Sequence, residues 1–427
     1  MVDVNNSSSR NSRRIKNTKS LSKQQLAQVS PKLGILNNIP FVIPFDSRVS
    51  ILRELIRYDE IRNNVDSYFD QVKADIRRDN VAEDGFNQLN IPGDQLKGKV
   101  FIRFFDQWGI PEVGVDGGGL FKEFLTSLAK EVFDTDRGLW LSSEKRLLYP
   151  NPHSYAKEPS QLDWYRFLGK IIGKALYSGI LLDVGFAEFF LAKWNGRQSH
   201  LDDLASLDPQ LYDGLLYLKN YPGDPQDLAL TFAASEEEFG ATRTIDLIPN
   251  GQNIPVTRDN KIQYIHLISH YRLNTQIEPQ CKAFFQGLSS IIDNKWLRMF
   301  DQQELGVLIG GAESDIDLDD LKIHTVYNNY SEADEVIINF WSVVRSFNQR
   351  QREQLLSFVT SCPRAPLLGF RELRPFFAIS KASDDDSWLP TASTCVNMLK
   401  LPAYSNKQKL KEKLLAAITS GARFEIT

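Results

Sequence analysis

Three cysteines and five histidines hold most of the nucleophilic and metal-binding chemistry open to this 427-residue chain. Cys281 shares one helical face with Phe284, Phe285, Leu288, Ile291 and Ile292, a pattern that buries a thiol and leaves it inert. Cys362 closes a helical run just before Pro363, with no acid, base or metal partner beside it in sequence, and reads as packing. Cys395 stands in another setting. It ends the polar run Leu389-Pro390-Thr391-Ala392-Ser393-Thr394-Cys395, which follows the acidic Asp384-Asp385-Asp386. Pro390 keeps the approach extended, and Ser393 and Thr394 supply hydroxyls. A thiol so placed sits on a loop rather than on an apolar stripe. Residue type alone leaves a reactive and a structural role equally open for it.

A cysteine hydrolase pairs its nucleophile with a base, usually histidine, held by a third group. His153, His200, His266, His270 and His324 all lie far from Cys395 in sequence, which fails to support such a dyad without excluding one. His266 and His270 are one helical turn apart, a spacing able to bind zinc, but no glutamate follows His266 and no cysteine pair accompanies them. They read as ordinary histidines, and no metal or other cofactor is expected. Gly117-Gly118-Gly119 opens a helix, as anion sites do, yet lacks the Gly-Lys-Ser/Thr ending of a nucleotide loop and reads as a tight turn. Thioester exchange asks less of its surroundings. One thioester replaces another, the leaving thiolate is good, and a thiol of pKa ~8.5 is a few per cent ionised at neutral pH and already nucleophilic. A lysine amine then converts thioester to amide, a downhill step that needs the amine deprotonated.

The length suggests two or three folding units, and 42% hydrophobic residues can bury a large core. A net charge of −4 argues against a nucleic-acid partner. Three cysteines cannot staple a chain of this size, so a reducing, intracellular compartment is expected, cytoplasmic or nuclear. No apolar run follows the N-terminal basic residues, so no secretory signal is read. The most apolar stretch, Trp164 to Leu182, carries Arg166, Lys170 and Lys174, which speaks for a soluble helix and against a membrane span. Residues 1–32 hold seven Ser, seven Lys or Arg and one acid, Asp3, and read as a disordered basic tail. Within it, Arg13-Arg14-Ile15-Lys16 reads as solvated chain rather than a nuclear address.

The elements that must position Cys395 follow from periodicity. Phe41 to Phe45 is expected to be extended between prolines. One helix carries Ile51, Leu55, Ile56 and Tyr58, and a second carries Tyr68, Val72 and Ile76 at spacing four. A helix after the triple glycine carries Leu120, Phe121, Phe124, Leu125 and Leu128. The clearest helix has Trp164, Phe167, Leu168, Ile171, Ile172, Ala175 and Leu176 on one stripe, with Asp163 as N-cap, and Gly169 and Gly173 beside the stripe admit another helix. A further helix runs from Phe186 to Trp194. Leu228 to Phe232 and Thr244 to Leu247 read as short strands, and Asn250-Gly251 as a turn. Helices resume at Lys261 to Leu273 and Pro279 to Ile292. A boundary is expected at Asn328-Asn329-Tyr330. Beyond it lie the helix Val336 to Phe347, the apolar run Leu355 to Val359, strand-like Phe376 to Ile379, and a last helix, Lys407 to Ile418. The class expected is α+β, with a large helix-rich lobe and a small α+β lobe.

Several of these runs together resemble one known family. Leu389 to Asn397, Leu401-Pro402-Ala403-Tyr404 and the last helix look like the catalytic segment of HECT ubiquitin ligases. Glu112-Val113-Gly114-Val115-Asp116-Gly117-Gly118-Gly119-Leu120-Phe121-Lys122-Glu123-Phe124, Phe167-Leu168-Gly169-Lys170, Ile248-Pro249-Asn250-Gly251 and Tyr271-Arg272-Leu273-Asn274 are similar to the family's large lobe. The Phe358 to Phe370 segment resembles the branch of ubiquitin-protein ligases E three-B and three-C. The resemblance implies a bilobal HECT fold, with a large lobe at 33–328 and a small lobe at 329–427, joined by a hinge at Asn328, Asn329 and Tyr330. It implies ubiquitin and a ubiquitin-conjugating enzyme as partners, and a protein lysine, in polyubiquitin or substrate, as acceptor. Cys395 would carry ubiquitin as a thioester, Thr394 would orient it, and Phe424 would serve transfer to lysine. The conjugating enzyme would dock on a subdomain at about 200–275 through Leu211, Leu215, Tyr221, Leu228 and Tyr264, positions that otherwise read as that subdomain's core.

Ser393 stands where many relatives have histidine, and Arg423 where the related branch has glycine. The short polar tail replaces the long N-terminal regions of relatives, so either the chain is a fragment or substrate choice lies elsewhere. Two other function classes compete with the ligase: a cysteine hydrolase such as a deubiquitinase, and a binding module that docks a conjugating enzyme without being charged.

Overall fold

The structure is a computed structural model that describes residues 39–63, 71–112, 119–238, 240–311 and 315–419. Helix α1 (Phe45–Arg62) buries Val49, Leu52 and Ile56 and leaves Tyr58 exposed. The segment before it is not extended as expected. Pro40–Val42 form a short 3-10 turn, and Pro44 is the N-cap of α1, because a proline costs nothing where the first helical N–H has no partner. Val72 and Ile76 lie on a strand, not a helix. β1 (Val72–Arg77) runs parallel to β2 (Val100–Phe105), with Val72 opposite Val100 and Ile76 opposite Phe104. A spacing of four satisfies period two as well as period 3.6, and Ala74 completes the buried side of the strand. Tyr68 lies outside the described residues. Helix α2 (Val81–Leu89) connects the two strands on the way to β2.

Helix α3 (Gly119–Val132) buries Phe121, Phe124, Leu125 and Leu128 in the large core. After the hairpin β3 (Trp140–Ser142) and β4 (Leu148–Pro150), α4 (Pro159–Ser178) forms the spine of the lobe. α4 begins a turn earlier than expected, with Pro159 at N1 and Glu158 as N-cap, and Asp163 pairs with Arg166 inside the helix. The glycines admit a partner as anticipated. A methyl on Gly169 would lie 1.9 Å from the Phe284 carbonyl oxygen, and one on Gly287 equally close to that of Arg166. Phe284 and Gly287 belong to α8 (Glu278–Ile291), which crosses α4 at backbone contact. Lys170 and Lys174 face inward rather than to solvent. Lys170 Nζ donates to Asn90 Oδ1 and the Ile91 carbonyl, and Lys174 Nζ to the carbonyls of Lys97 and Gly98.

Helix α5 (Glu188–Trp194) leads to a subdomain built from α6 (Pro209–Asn220), β5 (Ala233–Glu238), β6 (Ala241–Asp246) and α7 (Lys261–Leu273). The expected strand at Leu228 to Phe232 is instead a 3-10 turn, Pro225–Leu228, followed by Ala229 in the left-handed region, and pairing starts at Ala233. After α8 the chain continues through α9 (Gln302–Gly310).

A second core gathers Ile316, Leu318 and Leu321 with Phe340, Val344, Leu356, Val359, Ile379, Leu399, Leu401, Leu410 and Leu414. Its helices are α10 (Leu318–Ile323), α11 (Glu335–Arg345), α12 (Gln349–Thr360) and α13 (Lys407–Thr419). Its sheet joins β7 (Val326–Asn328), β8 (Ala378–Lys381), β9 (Thr391–Ser393) and β10 (Met398–Leu401) in the order β7-β8-β10-β9. β7 and β10 are parallel to β8, and β9 is an antiparallel edge strand on β10. The result is the bilobal α+β architecture expected, with a separate hydrophobic core in each lobe.

Candidate active site

Cys395 occupies the turn of the β9–β10 hairpin, at the edge of the small-lobe sheet. Thr394–Val396 make a 3-10 turn, and Asn397, at φ 50°, takes the left-handed step that lets β10 begin. Asn397 is fully buried and held on several sides. Its Nδ2 donates to the Pro375 carbonyl at 2.6 Å, and its own carbonyl accepts the Ala378 N–H at 2.9 Å. The nucleophile therefore rides on a short loop whose exit is pinned.

The large lobe meets this loop through the first turn of α3. A methyl group on Gly119 would lie 1.9 Å from the Cys395 carbonyl oxygen and 2.9 Å from its Cβ, so only glycine permits the contact. One turn on, Lys122 Nζ donates to Asn397 Oδ1 at 2.6 Å. Glu123 faces the other way: Arg78 bridges it at 2.5 Å and Glu112 at 2.7 Å, and stacks over Phe104. That ion pair anchors the start of α3 from both sides of the glycine-rich segment, of which 113–118 lie outside the described residues.

Electrostatics at the thiol are mixed. Burial against the large lobe pushes the half-buried Cys395 thiol up and Glu123 adds to this, while the N–H groups of Cys395 and Val396 and the charge of Lys122 pull it down. Burial pulls the Lys122 ammonium down to about 8, against the opposing pull of Cys362 and Cys395. The Thr394 hydroxyl is buried with no hydrogen-bond partner among the described residues. The other two thiols behave as core groups. Cys281 is buried and its thiol is pushed up to about 12, and Cys362 is buried and raised, at the wall of a cleft of about 750 Å³ between the lobes. Arg364 Nη1, donating to the Gly310 carbonyl across that cleft, is a second tie between the lobes.

The other expected site residues fall in three places. Leu215 and Tyr264 are buried, with Tyr264 edge-on to Phe232 at 5.6 Å, whereas Leu211, Tyr221 and Leu228 are half-buried at the subdomain surface. Tyr217, which the sequence reading did not single out, is 61% exposed and packs on Tyr221 at 5.4 Å. Its position one turn before Tyr221 was the available signal. Asn328 ends β7 inside the small-lobe sheet, Asn329 is left-handed at φ 56°, and the Tyr330 hydroxyl donates to the Leu401 carbonyl. The chain passes from one core to the other earlier, between Ile309 and Ile316. Phe424 lies outside the described residues. Lys122 and Asn397 carried no signal as a pair, because 275 positions separate them.

Residues 126–427 match the family model described as HECT-domain (ubiquitin-transferase). A probable E3 ubiquitin protein ligase of Schizosaccharomyces pombe is 49% identical over 92% of this chain and 39% of its own length. The E3 ubiquitin-protein ligase HUL5 of Saccharomyces cerevisiae is 42% identical over 93% of this chain and 45% of its own. Ubiquitin-protein ligase E3B of Homo sapiens is 40% identical over 92% and 40%. The chain thus spans less than half the length of these relatives.

Proposed function

The chain belongs to the HECT-domain family of ubiquitin transferases, and on that premise we propose that Cys395 accepts ubiquitin from a ubiquitin-conjugating enzyme and passes it to a lysine. In the first step the Cys395 thiolate attacks the thioester carbonyl on the conjugating enzyme. The new C–S bond forms as the old one breaks, and the enzyme's cysteine leaves as thiolate. In the second step a neutral lysine amine attacks the Cys395 thioester, Cys395 leaves, and the amine proton passes to solvent or a base on the acceptor side. Neither step requires a base paired with Cys395.

The observation that carries this reading is the setting of the thiol. It lies on an edge hairpin, half-buried, and the charged groups acting on it are Glu123 and Lys122 rather than a histidine. A hydrolase would need a base held on the sulfur. In this reading the unpartnered Thr394 hydroxyl orients the incoming carbonyl, and Phe424 serves the lysine step. The conjugating enzyme docks on the 200–275 subdomain through Leu211, Tyr221 and Leu228, with Leu215 and Tyr264 supporting them from beneath. The expected hinge at Asn328, Asn329 and Tyr330 is not kept in this reading, because β7 and the Tyr330–Leu401 bond tie these residues into the small lobe. No helix among the described residues is long and apolar enough to cross a membrane, and the cysteine usage fits a reducing compartment, cytoplasmic or nuclear.

Incubation with activating enzyme, a panel of conjugating enzymes and labelled ubiquitin tests the reading. Wild type forms a thiol-reducible adduct, Cys395→Ala forms none, and Cys395→Ser forms a thiol-resistant oxyester. A reducible adduct that persists undiminished on Cys395→Ala ends the proposal. Rapid cleavage of a ubiquitin C-terminal fluorogenic substrate, without a conjugating enzyme, points to the hydrolase instead.

A further inference from the structure

We infer that Lys122 and Asn397 form a latch that holds the Cys395 turn against the large lobe, which makes Lys122 a positioning residue for the thiol. The inference deepens the ligase reading and rests on it for its purpose, although its test does not.

Three contacts converge on the same few atoms. Gly119 brings the α3 backbone against the Cys395 carbonyl, Lys122 Nζ donates to Asn397 Oδ1 at 2.6 Å, and Asn397 Nδ2 donates to the Pro375 carbonyl at 2.6 Å. Asn397 is therefore a relay. One end of its side-chain amide grips the small lobe and the other is gripped by the large lobe. Because its left-handed backbone sets the exit of the loop, a pull on its amide is felt two residues earlier, at Cys395.

The lysine is suited to the task and has no other evident one. Its neighbour Glu123 is committed to Arg78, and no carboxylate hydrogen-bonds to Lys122 among the described residues. A buried ammonium without a carboxylate is costly, and its hydrogen bond to Asn397 is the contact that offsets the cost. That contact exists only while the lobes are docked. When they separate, water solvates the ammonium, the Asn397 oxygen and the face of Cys395 turned toward Gly119. The latch thus couples lobe docking to exposure of the nucleophile.

The test uses the free chain, without ubiquitin or partner enzymes. Cys395 alkylation by iodoacetamide is read by peptide mass spectrometry, with buried Cys281 as internal control for folding. Hydrogen exchange of the Thr394 to Met398 amides is followed in parallel. Lys122→Met keeps the unbranched apolar stem of the side chain and removes the donor. It is expected to speed both processes about tenfold, the shift for losing one charge-assisted hydrogen bond. Lys122→Arg is expected to restore near-wild-type protection. Asn397→Asp tolerates the left-handed backbone but loses the N–H that the Pro375 carbonyl accepts and sets a carboxylate oxygen against it, so it is expected to speed both processes. Unchanged alkylation and exchange in Lys122→Met overturn the latch. If Cys281 becomes reactive in that variant, Lys122→Arg decides: wild-type protection of the Thr394 to Met398 amides supports the latch, and exchange as fast as in Lys122→Met overturns it. Wild type that charges with ubiquitin while these readouts stay unmoved refutes the latch alone. A latch that behaves as described in a chain that never charges refutes the ligase reading alone.

Discussion

At the scale of single residues, the atoms around Cys395 differ in what they stabilise. The Thr394 hydroxyl is buried without a partner among the described residues, an arrangement that costs stability in the resting chain and that the proposed orienting role would put to use. Thr394→Val, which keeps the shape and removes the hydroxyl, is expected to hold or raise stability by up to ~1 kcal/mol while slowing adduct formation. Chemical denaturation and charging assays measure the two separately, and parallel losses in both would refute the role. The raised thiol makes a second prediction. The docked state holds the Cys395 proton more tightly than separated lobes do, so this group favours docking at lower pH and its contribution fades as pH rises through the raised value. The midpoint of the pH–alkylation profile at Cys395 should lie above that of a freely exposed thiol and fall toward it in Gly119→Ala, where the added methyl collides with the Cys395 carbonyl. An ordinary midpoint in wild type would show that docking does not shield the sulfur.

At the scale of elements, the crossing of α4 and α8 governs the large lobe. It depends on three glycines that are not equally crowded. A methyl on Gly169 would lie 1.9 Å from the Phe284 carbonyl, backbone that cannot yield, while one on Gly173 would lie 2.9 Å from Ile291 Cβ. Gly169→Ala is therefore expected to cost more than ~3 kcal/mol, and Gly173→Ala about 1–2 kcal/mol. Urea unfolding compares them, and equal losses would contradict the geometry. The subdomain of α6 and α7 shows a similar contrast. Leu215→Ala removes buried packing and should cost ~2–5 kcal/mol of stability, whereas exposed Tyr217→Ala should leave stability within about 0.5 kcal/mol. Binding loss at Tyr221 and Tyr217, without a stability loss, is the signature of a docking face.

At the scale of the molecule, two separate cores meet through contacts that include the Gly119–Cys395 approach, the Lys122–Asn397 bond, the Arg364–Gly310 tie and the packing of Leu367 and Leu368 on the large core. Cores so divided unfold as separate cooperative units. Calorimetry should show two transitions. A single transition whose calorimetric and van 't Hoff enthalpies agree would mean that the interface binds the lobes into one unit.

Much of this could be read without coordinates, wherever one local pattern had one physical solution. The apolar stripe of α4 and its flanking glycines dictated a close helix crossing, because period 3.6 and a missing side chain leave few alternatives. The paired faces of Cys281 and Leu414 likewise declared themselves as core. Local pattern failed where two solutions shared it: Val72 and Ile76 suit a strand as well as a helix, and Pro40 and Pro44 suit the start of a helical turn as well as an extended run. The resemblance singled out Cys395 and Thr394, but not what stands against them. That Gly119 touches Cys395, that Lys122 reaches Asn397, and that Lys170 and Lys174 turn inward onto carbonyls were decided by tertiary structure alone. Contacts between residues hundreds of positions apart leave no trace in spacing, since they depend on how two finished lobes come to rest.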